Sequence, residues 1–199
     1  MGTRTEYEPG TFSWEELSTP DADGAKRFYR ELFGWQTEAA SATATQDGAA
    51  VAAISEQPER QRSAGVRPHW LSYVTVATVD DAAARVDGLG GSLHAGPFDV
   101  ADPTGAMLGI WEARNAIGAE RVNDPGCLTS IELGPGEASV PPNRVPYFTV
   151  TSIDDALSRA GELGGGTLVG ATQISAGRFA ALRDPQGAAF SVFEGPDDD

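Results

Sequence analysis

The residues able to do chemistry in this chain are few, and they recur in pairs. Glu16 and Glu132 hold the same place in two matching segments, Gly10-Thr-Phe-Ser-Trp-Glu-Glu-Leu17 and Gly126-Cys-Leu-Thr-Ser-Ile-Glu-Leu133, at a constant offset of 116 residues. Tyr73 and Tyr147 open a second pair of matching segments, offset by 74 residues. A carboxylate set against aromatic rings loses hydration, and its pKa climbs toward the range where it can give and take protons near neutrality. A tyrosine hydroxyl beside it can donate a hydrogen bond to a ligand carbonyl. Glu16, Glu132 and Tyr73 are therefore the candidate catalytic groups. The competing reading puts both glutamates at solvent-exposed strand ends, with no chemical role.

Other chemistries find less support. The 199 residues include two histidines, His69 and His94, and one cysteine, Cys127. A nucleophilic cysteine needs an activating base, and none is evident near Cys127, which reads as a small buried hydrophobe. No Gly-x-Gly-x-x-Gly or P-loop opens a helix, so no cofactor is expected. The net charge of −15 repels phosphate backbones and anionic membrane surfaces, which makes nucleic acid and membrane unexpected partners. No apolar run approaches the ~20 residues of a membrane helix. With a single cysteine and no apolar leader, the chain is expected in a reducing cytoplasm.

The elements that must position these groups are written as repeats. Tyr73-Val-Thr-Val followed by Val79–Gly91 matches Tyr147-Phe-Thr-Val followed by Ile153–Gly165. Each is a short β-branched or aromatic strand leading into an amphipathic helix, with Asp80 or Asp154 at the expected N-cap. Each helix is followed by strand-like residues around an Asp-Pro-x-Gly turn, Asp102–Gly105 and Asp184–Gly187, where proline presets φ and glycine tolerates positive φ. The unit is β-α-β-β-β. The turn offset of 82 residues rather than 74 leaves the earlier copy 8 residues short, mostly in its third strand. A further helix, capped around Thr19-Pro-Asp21, carries Ala25, Phe28, Tyr29, Leu32 and Phe33 at helical spacing and stops at Gly34. Strands are expected near 36–44 and 49–55. After Leu133 nothing comparable follows: residues 134–143 form a Pro/Gly loop, and about 42 residues of a third unit are missing by this count. The expected organisation is a domain over 10–113, a linker over 114–125, and a truncated domain over 126–195.

Trp14-Glu-Glu-Leu-Ser-Thr-Pro-Asp21, then Ala25-Lys-Arg-Phe-Tyr-Arg-Glu-Leu-Phe-Gly-Trp35, with the later Asp-Pro-x-Gly hairpins, resembles the vicinal oxygen chelate superfamily of glyoxalases, bleomycin-resistance proteins, extradiol dioxygenases and fosfomycin-resistance enzymes. The resemblance covers residues 10–195. It implies an α+β fold in which repeated βαβββ units form curled mixed sheets, each a cup, with the third unit largely deleted. It also implies metal ligands on first and last strands. Those positions fall on Trp14, Leu71, Ser130, Val145, Gly109 and Ser191, none of which is a His, Glu, Gln, Asp or Cys, so no metal is expected.

With a cup implied, strand alternation assigns its lining. Phe12, Trp14 and Glu16 should point inward from the first strand. Leu71 and Tyr73 should face Met107 and Trp111. Tyr147 and Phe193 should line the later unit, with Arg178 reaching in from its third strand. His69 shares the face of Leu71 or sits at the rim. Such walls suit a planar or aromatic ligand; the alternative is a cup closed over its own side chains. The expected activity is metal-independent acid–base isomerisation, cyclisation or rearrangement of a hydrophobic, aromatic or polyketide-like small molecule in bacterial secondary metabolism. The alternatives are a drug-binding or resistance protein and an accessory subunit of another biosynthetic enzyme. The exposed sheet edge left by the truncation favours a homodimer.

Overall fold

The computed structural model describes residues 2–38, 40–95, 98–134 and 142–195. Alternation of apolar and polar residues sets the first strand, β1 (Phe12–Thr19). Helix α1 (Ala22–Phe33) begins where the Asp21 side chain accepts the Gly24 N–H at 2.8 Å and ends where Gly34 takes a left-handed φ of 77°. Strands β2 (Gln36–Thr37), β3 (Thr43–Gln46) and β4 (Ala49–Glu56) complete the first unit, and a short helix α2 (Glu59–Ser63) leads to the second. That unit contains β5 (His69–Thr75), α3 (Val79–Val86), β6 (Ser92–Ala95), β7 (Asp99–Ala101) and β8 (Met107–Trp111). The third unit is the single strand β9 (Leu128–Gly134). The fourth is β10 (Asn143–Thr149), α4 (Ile153–Glu162), β11 (Gly166–Ile174), β12 (Gly177–Arg183) and β13 (Ala189–Glu194). The expected loop over 134–143 lies largely outside the described residues.

Two curled mixed sheets result, in the orders β2-β3-β4-β1-β5-β8-β7-β6 and β11-β12-β13-β10-β9. β1 pairs parallel with β4 and antiparallel with β5. Its counterpart β9 pairs antiparallel with β10 and, among the described residues, with no other strand. The repeats hold in detail. Gly10 donates to Thr75 O and Gly126 to Thr149 O, both at 2.8 Å. Glu112 accepts the first N–H of α3 from Val79, and Glu194 accepts that of α4 from Ile153. Both glutamates thus serve as tertiary caps on the helix starts. The N-caps themselves are Thr78 and Ser152, not Asp80 and Asp154, which lie inside the first turns and complement the helix dipole there.

The apolar faces of both sheets meet across one core together with α1 and α4. Tyr29 lies at its centre, with Phe33 and Trp35 stacked on it and Trp70 and Phe190 edge-on. Buried aromatic dipoles need partners: Trp35 donates to Gly126 O at 2.8 Å, and Trp70 donates to the Tyr29 hydroxyl at 3.3 Å. Asp184, first residue of its turn, collects the N–H groups of Gln186, Gly187 and Ala188 on one oxygen. The opposite, concave face of the first sheet carries the candidate site.

Candidate functional site

Register places the side chains of that concave face in rows. Trp14 on β1 stands beside Tyr73 on β5, Tyr73 beside Gly109 on β8, and Gly109 beside Asp99 on β7. One step along, Glu16 stands between Ala53 and Leu71. Gly109 leaves the space that Tyr73 fills, since a Cβ there would collide with the Tyr73 ring. Tyr73 donates its hydroxyl to Glu16 Oε2 at 2.9 Å, and Ser55 donates to Glu16 Oε1 at 2.5 Å. Burial first, and then the Glu16 carboxylate, hold the Tyr73 phenol well above its ordinary pKa. The phenol is therefore a firm donor, and Glu16 is a carboxylate fixed in position by two hydrogen bonds.

Asp99, half-buried in the same row, is held above the ordinary Asp value. Burial is the main cause, and the Glu16 charge adds to it, while Arg60, His69 and His94 oppose the shift. His69 pairs across β1 with Ser18 on this face and turns its Nδ1 to Arg67 O at 2.8 Å. Met107 occupies the same face at the start of β8, and Trp111 closes its far end, edge-on to Tyr73. The segment expected as a linker straps across the face. Ala119 and Val122 pack on Trp14 and Ala53. Ala119 N–H donates to Ser13 O at 2.7 Å, and Tyr7 donates its hydroxyl to Ala119 O at 2.7 Å.

A cavity of about 530 Å³ opens beside this row, walled by Tyr73, Phe98, Ile110 and Trp111, with Asp80, Glu112 and Arg114 at its rim. It touches the Tyr73 end of the hydrogen-bonded pair. Another hollow, of about 490 Å³, lies between α1 and α4 and holds none of the sequence-derived candidates. Of the sequence-derived candidates, Tyr73 and Trp111 line the first.

The second sheet repeats the pair: Tyr147 donates to Glu132 Oε2 at 2.9 Å, beside Ser191 and Phe193. Here, however, Glu132 is exposed: β9 is the last strand of its sheet among the described residues. Two expectations fail. Phe12 does not line the cup: a bulge pairs Phe12 with Val74 and Trp14 with Tyr73, so Phe12 turns to the opposite face, where the Arg144 guanidinium lies 5.3 Å from its ring centroid. Arg178 likewise points away from the concave face and bridges Asp154 at 3.2 Å and Glu194 at 3.5 Å; it is Phe179, not Arg178, that stands alongside Phe193. The sequence alone does not single out Asp99, because the shortened second unit is expected to lack most of its third strand. The signal available is the count back from Asp102-Pro-Thr-Gly105, which puts Asp99 across from Gly109.

The donor set does not fit a divalent ion. Among the described residues no three His, Cys, Asp or Glu side chains converge, and both Glu16 oxygens are already bonded to Tyr73 and Ser55. Cys127 is buried, donates to Gln46 Oε1 at 2.8 Å, and has its thiol pushed up to about 11 by burial. It is inert at neutral pH.

Curled mixed sheets built from βαβββ units, with the central pair of each cup antiparallel, define a glyoxalase-type fold. The sequence profile of the Glyoxalase/Bleomycin resistance protein/Dioxygenase superfamily matches residues 11–126, and the chain belongs to that superfamily. CFP32 of Mycobacterium tuberculosis, whose name proposes a glyoxylase, is 32% identical over 257 aligned residues, covering 98% of each chain. The anthracycline biosynthesis protein DnrV of Streptomyces peucetius is 28% identical, covering 96% of this chain and 95% of its own. The alignments are longer than this chain, so these relatives carry segments that it lacks. In structure, the Mn(II)-bound glyoxalase of Novosphingobium aromaticivorans is similar with a TM-score of 0.60 at 15% identity, over 98% of this chain and 83% of its own. No helix among the described residues is long and apolar enough to cross a membrane.

Proposed function

We propose that this chain is a metal-independent enzyme of bacterial secondary metabolism that binds a hydrophobic, aromatic or polyketide-like molecule on the concave face of its first sheet. It acts by acid–base chemistry: isomerisation, cyclisation or rearrangement. The carrying observation is the Tyr73–Glu16 hydrogen bond at the wall of an aromatic cavity of about 530 Å³. Leu71, Met107 and Trp111 supply the apolar contacts, Trp14 backs Tyr73 from beneath the strap, His69 stands at the rim, and Glu16 moves the proton. The kinship with DnrV, named for anthracycline biosynthesis, supports a polycyclic ligand. A place in the cytoplasm accords with the buried free thiol of Cys127.

A second reading has its own support. The net charge of −15 favours a cationic ligand, and a protein that only sequesters a drug needs no proton donor. One experiment separates the two. A panel of tricyclic and tetracyclic aryl ketones is titrated against tryptophan fluorescence, and the recovered compounds are analysed by mass spectrometry and NMR. Catalysis predicts conversion that Glu16→Gln reduces about a hundredfold or more while binding is kept, with EDTA without effect. Ligand recovered unchanged throughout supports sequestration. Activity lost to EDTA and restored by a divalent ion overturns the metal-independent reading.

We also propose a homodimer. Among the described residues no strand pairs with the outer edge of β9, and a second copy can cover such an edge. Light scattering at twice the monomer mass is expected, and a monomer at all concentrations refutes it.

A further inference from the structure

We propose that Asp99 is the proton donor that faces Glu16 across Tyr73, so that the site holds two carboxyl groups with opposite tasks and takes ligands with an enolisable ketone. This rests on the acid–base reading above and names its substrate class.

The placement is geometric. Asp99 pairs with Gly109, and Gly109 with Tyr73, so the three point to one face of the sheet. β8 contributes no side chain between them, because position 109 is glycine and the Tyr73 ring fills its space. Tyr73 therefore stands between a carboxylate on β1 and a carboxyl on β7, with its hydroxyl given to Glu16. Among the described residues Asp99 makes no salt bridge within 4.0 Å. The ionisable groups near enough to act on it include Glu16 from β1, His69 from β5, His94 from β6 and Arg60 from α2, and its own charge acts on Tyr73.

The two carboxyl groups differ in what surrounds them. Glu16 accepts hydrogen bonds from Tyr73 and Ser55, so both of its oxygens are held in place. Asp99 has burial and the Glu16 charge acting to keep its proton. A ligand seated over Tyr73 excludes more water, which strengthens the hold of Asp99 on its proton. A carboxyl group that keeps its proton, set across from a glutamate held as a hydrogen-bond acceptor, gives the site an acid and a base.

The step balances without a further reactant. Glu16 removes a proton from the carbon next to the ketone. The C–H electron pair becomes the C=C bond of the enol, and the carbonyl π pair takes the proton of Asp99. Return of the proton to the same carbon gives exchange; where the ketone carries a β,γ double bond, its return to the γ-carbon of the dienol shifts the double bond into conjugation, and in either case Asp99 recovers its proton from the enol hydroxyl. No electrons are gained or lost overall.

The test uses 2-tetralone, a bicyclic enolisable ketone, as probe in D₂O, with the full chain. The first measurement needs no ligand: the side-chain carboxyl of Asp99 is titrated by ¹³C NMR in the wild type and in Glu16→Gln. The expected result is a midpoint above that of an exposed aspartate, which falls when the Glu16 charge is removed. A midpoint that is ordinary and unmoved by Glu16→Gln overturns the placement of Asp99, whatever the probe does. The second measurement is deuterium uptake at the ketone's α-carbon. The wild type is expected to accelerate it. Asp99→Asn should slow it at least tenfold and remove the high-pH decline of the rate profile, with probe binding unchanged. Uptake that Glu16→Gln abolishes but Asp99→Asn leaves alone, in rate and in pH profile, overturns the role of Asp99 and spares the acid–base reading. No acceleration by the wild type, with Asp99 still coupled to Glu16, overturns the acid–base reading itself.

Discussion

Glu15 and Glu16 are adjacent in sequence and lie on opposite faces of β1. Glu16 looks into the concave face with both oxygens bonded. Glu15 is wholly buried on the core side, opposite Ser72, and neither of its oxygens nor the Ser72 hydroxyl has a partner of good geometry. Burial pushes Glu15 up to about 8 from an ordinary 4.5, against smaller opposing effects from Ser72 and Arg144. The folded protein thus holds a proton that the unfolded chain releases between those values. Stability from this group is full below about 4.5 and falls as pH rises toward 8. The loss is on the order of a few kcal/mol, since each tenfold difference in proton affinity between folded and unfolded chain is worth about 1.4 kcal/mol. Urea denaturation at pH 5 and pH 8 should show the decline in the wild type and its near absence in Glu15→Gln. Equal slopes in both proteins would remove Glu15 as the cause. The sequence made Glu16 and Tyr73 legible because each recurs at a fixed offset. It hid Asp99 on a strand of three residues, and it hid the burial of Glu15, since alternation assigns a face and says nothing of what covers it.

At the scale of elements, the strand-helix-strand units were readable from periodicity, turns and caps, with boundaries that the structure moved by a few residues. The helix starts illustrate why. Asp80 and Asp154 attract attention as acidic residues before an apolar pattern, but the backbone leaves the helix at Thr78 and Ser152. The two sites also differ. Ser152 accepts the Asp155 N–H at 3.2 Å, whereas the Thr78 side chain makes no capping bond. In both helices a glutamate from the end of the last strand, Glu112 or Glu194, takes the first N–H instead. Ser152→Ala should therefore cost about 1 kcal/mol and Thr78→Ala only a few tenths, measured as shifts in urea midpoint. Equal costs would mean that the hydrogen bond from Asp155 N–H to the Ser152 hydroxyl adds nothing to helix stability. This tertiary cap is invisible locally, since the glutamate lies 33 or 41 residues from the N–H it accepts.

At the scale of the whole molecule, both sheets share one apolar interior. Phe148 and Phe190 from the second sheet meet Phe33, Tyr29 and Trp70 from the first half of the chain, and all are buried. Calorimetry should show a single unfolding transition, and Phe190→Ala should destabilise the whole molecule by about 3–5 kcal/mol. Two transitions, with the variant affecting one, would show that the halves are energetically separate. Composition and pattern identified apolar faces on the strands of both halves. They did not reveal that those faces meet, because that depends on where two helices far apart in sequence come to rest.

The irregularity at Ser13 has a counterpart in β9, where the pairing also slips between Leu128 and Ser130. Each inserts a half-period into its strand, so residues of the same parity serve the interior before it and the cup after it. The strand behaves like a ribbon given one half-turn at a fixed point. Excising Ser13 alone would leave Phe12 next to Trp14, each on the face it holds now, because their partners Val74 and Tyr73 are already consecutive in β5; a regular strand that kept Ser13 would instead turn Phe12 into the cup. A single residue that carries no reactive group thus decides what the upstream end of β1 shows to the cup, while Glu16 is held by the unbroken register beyond it.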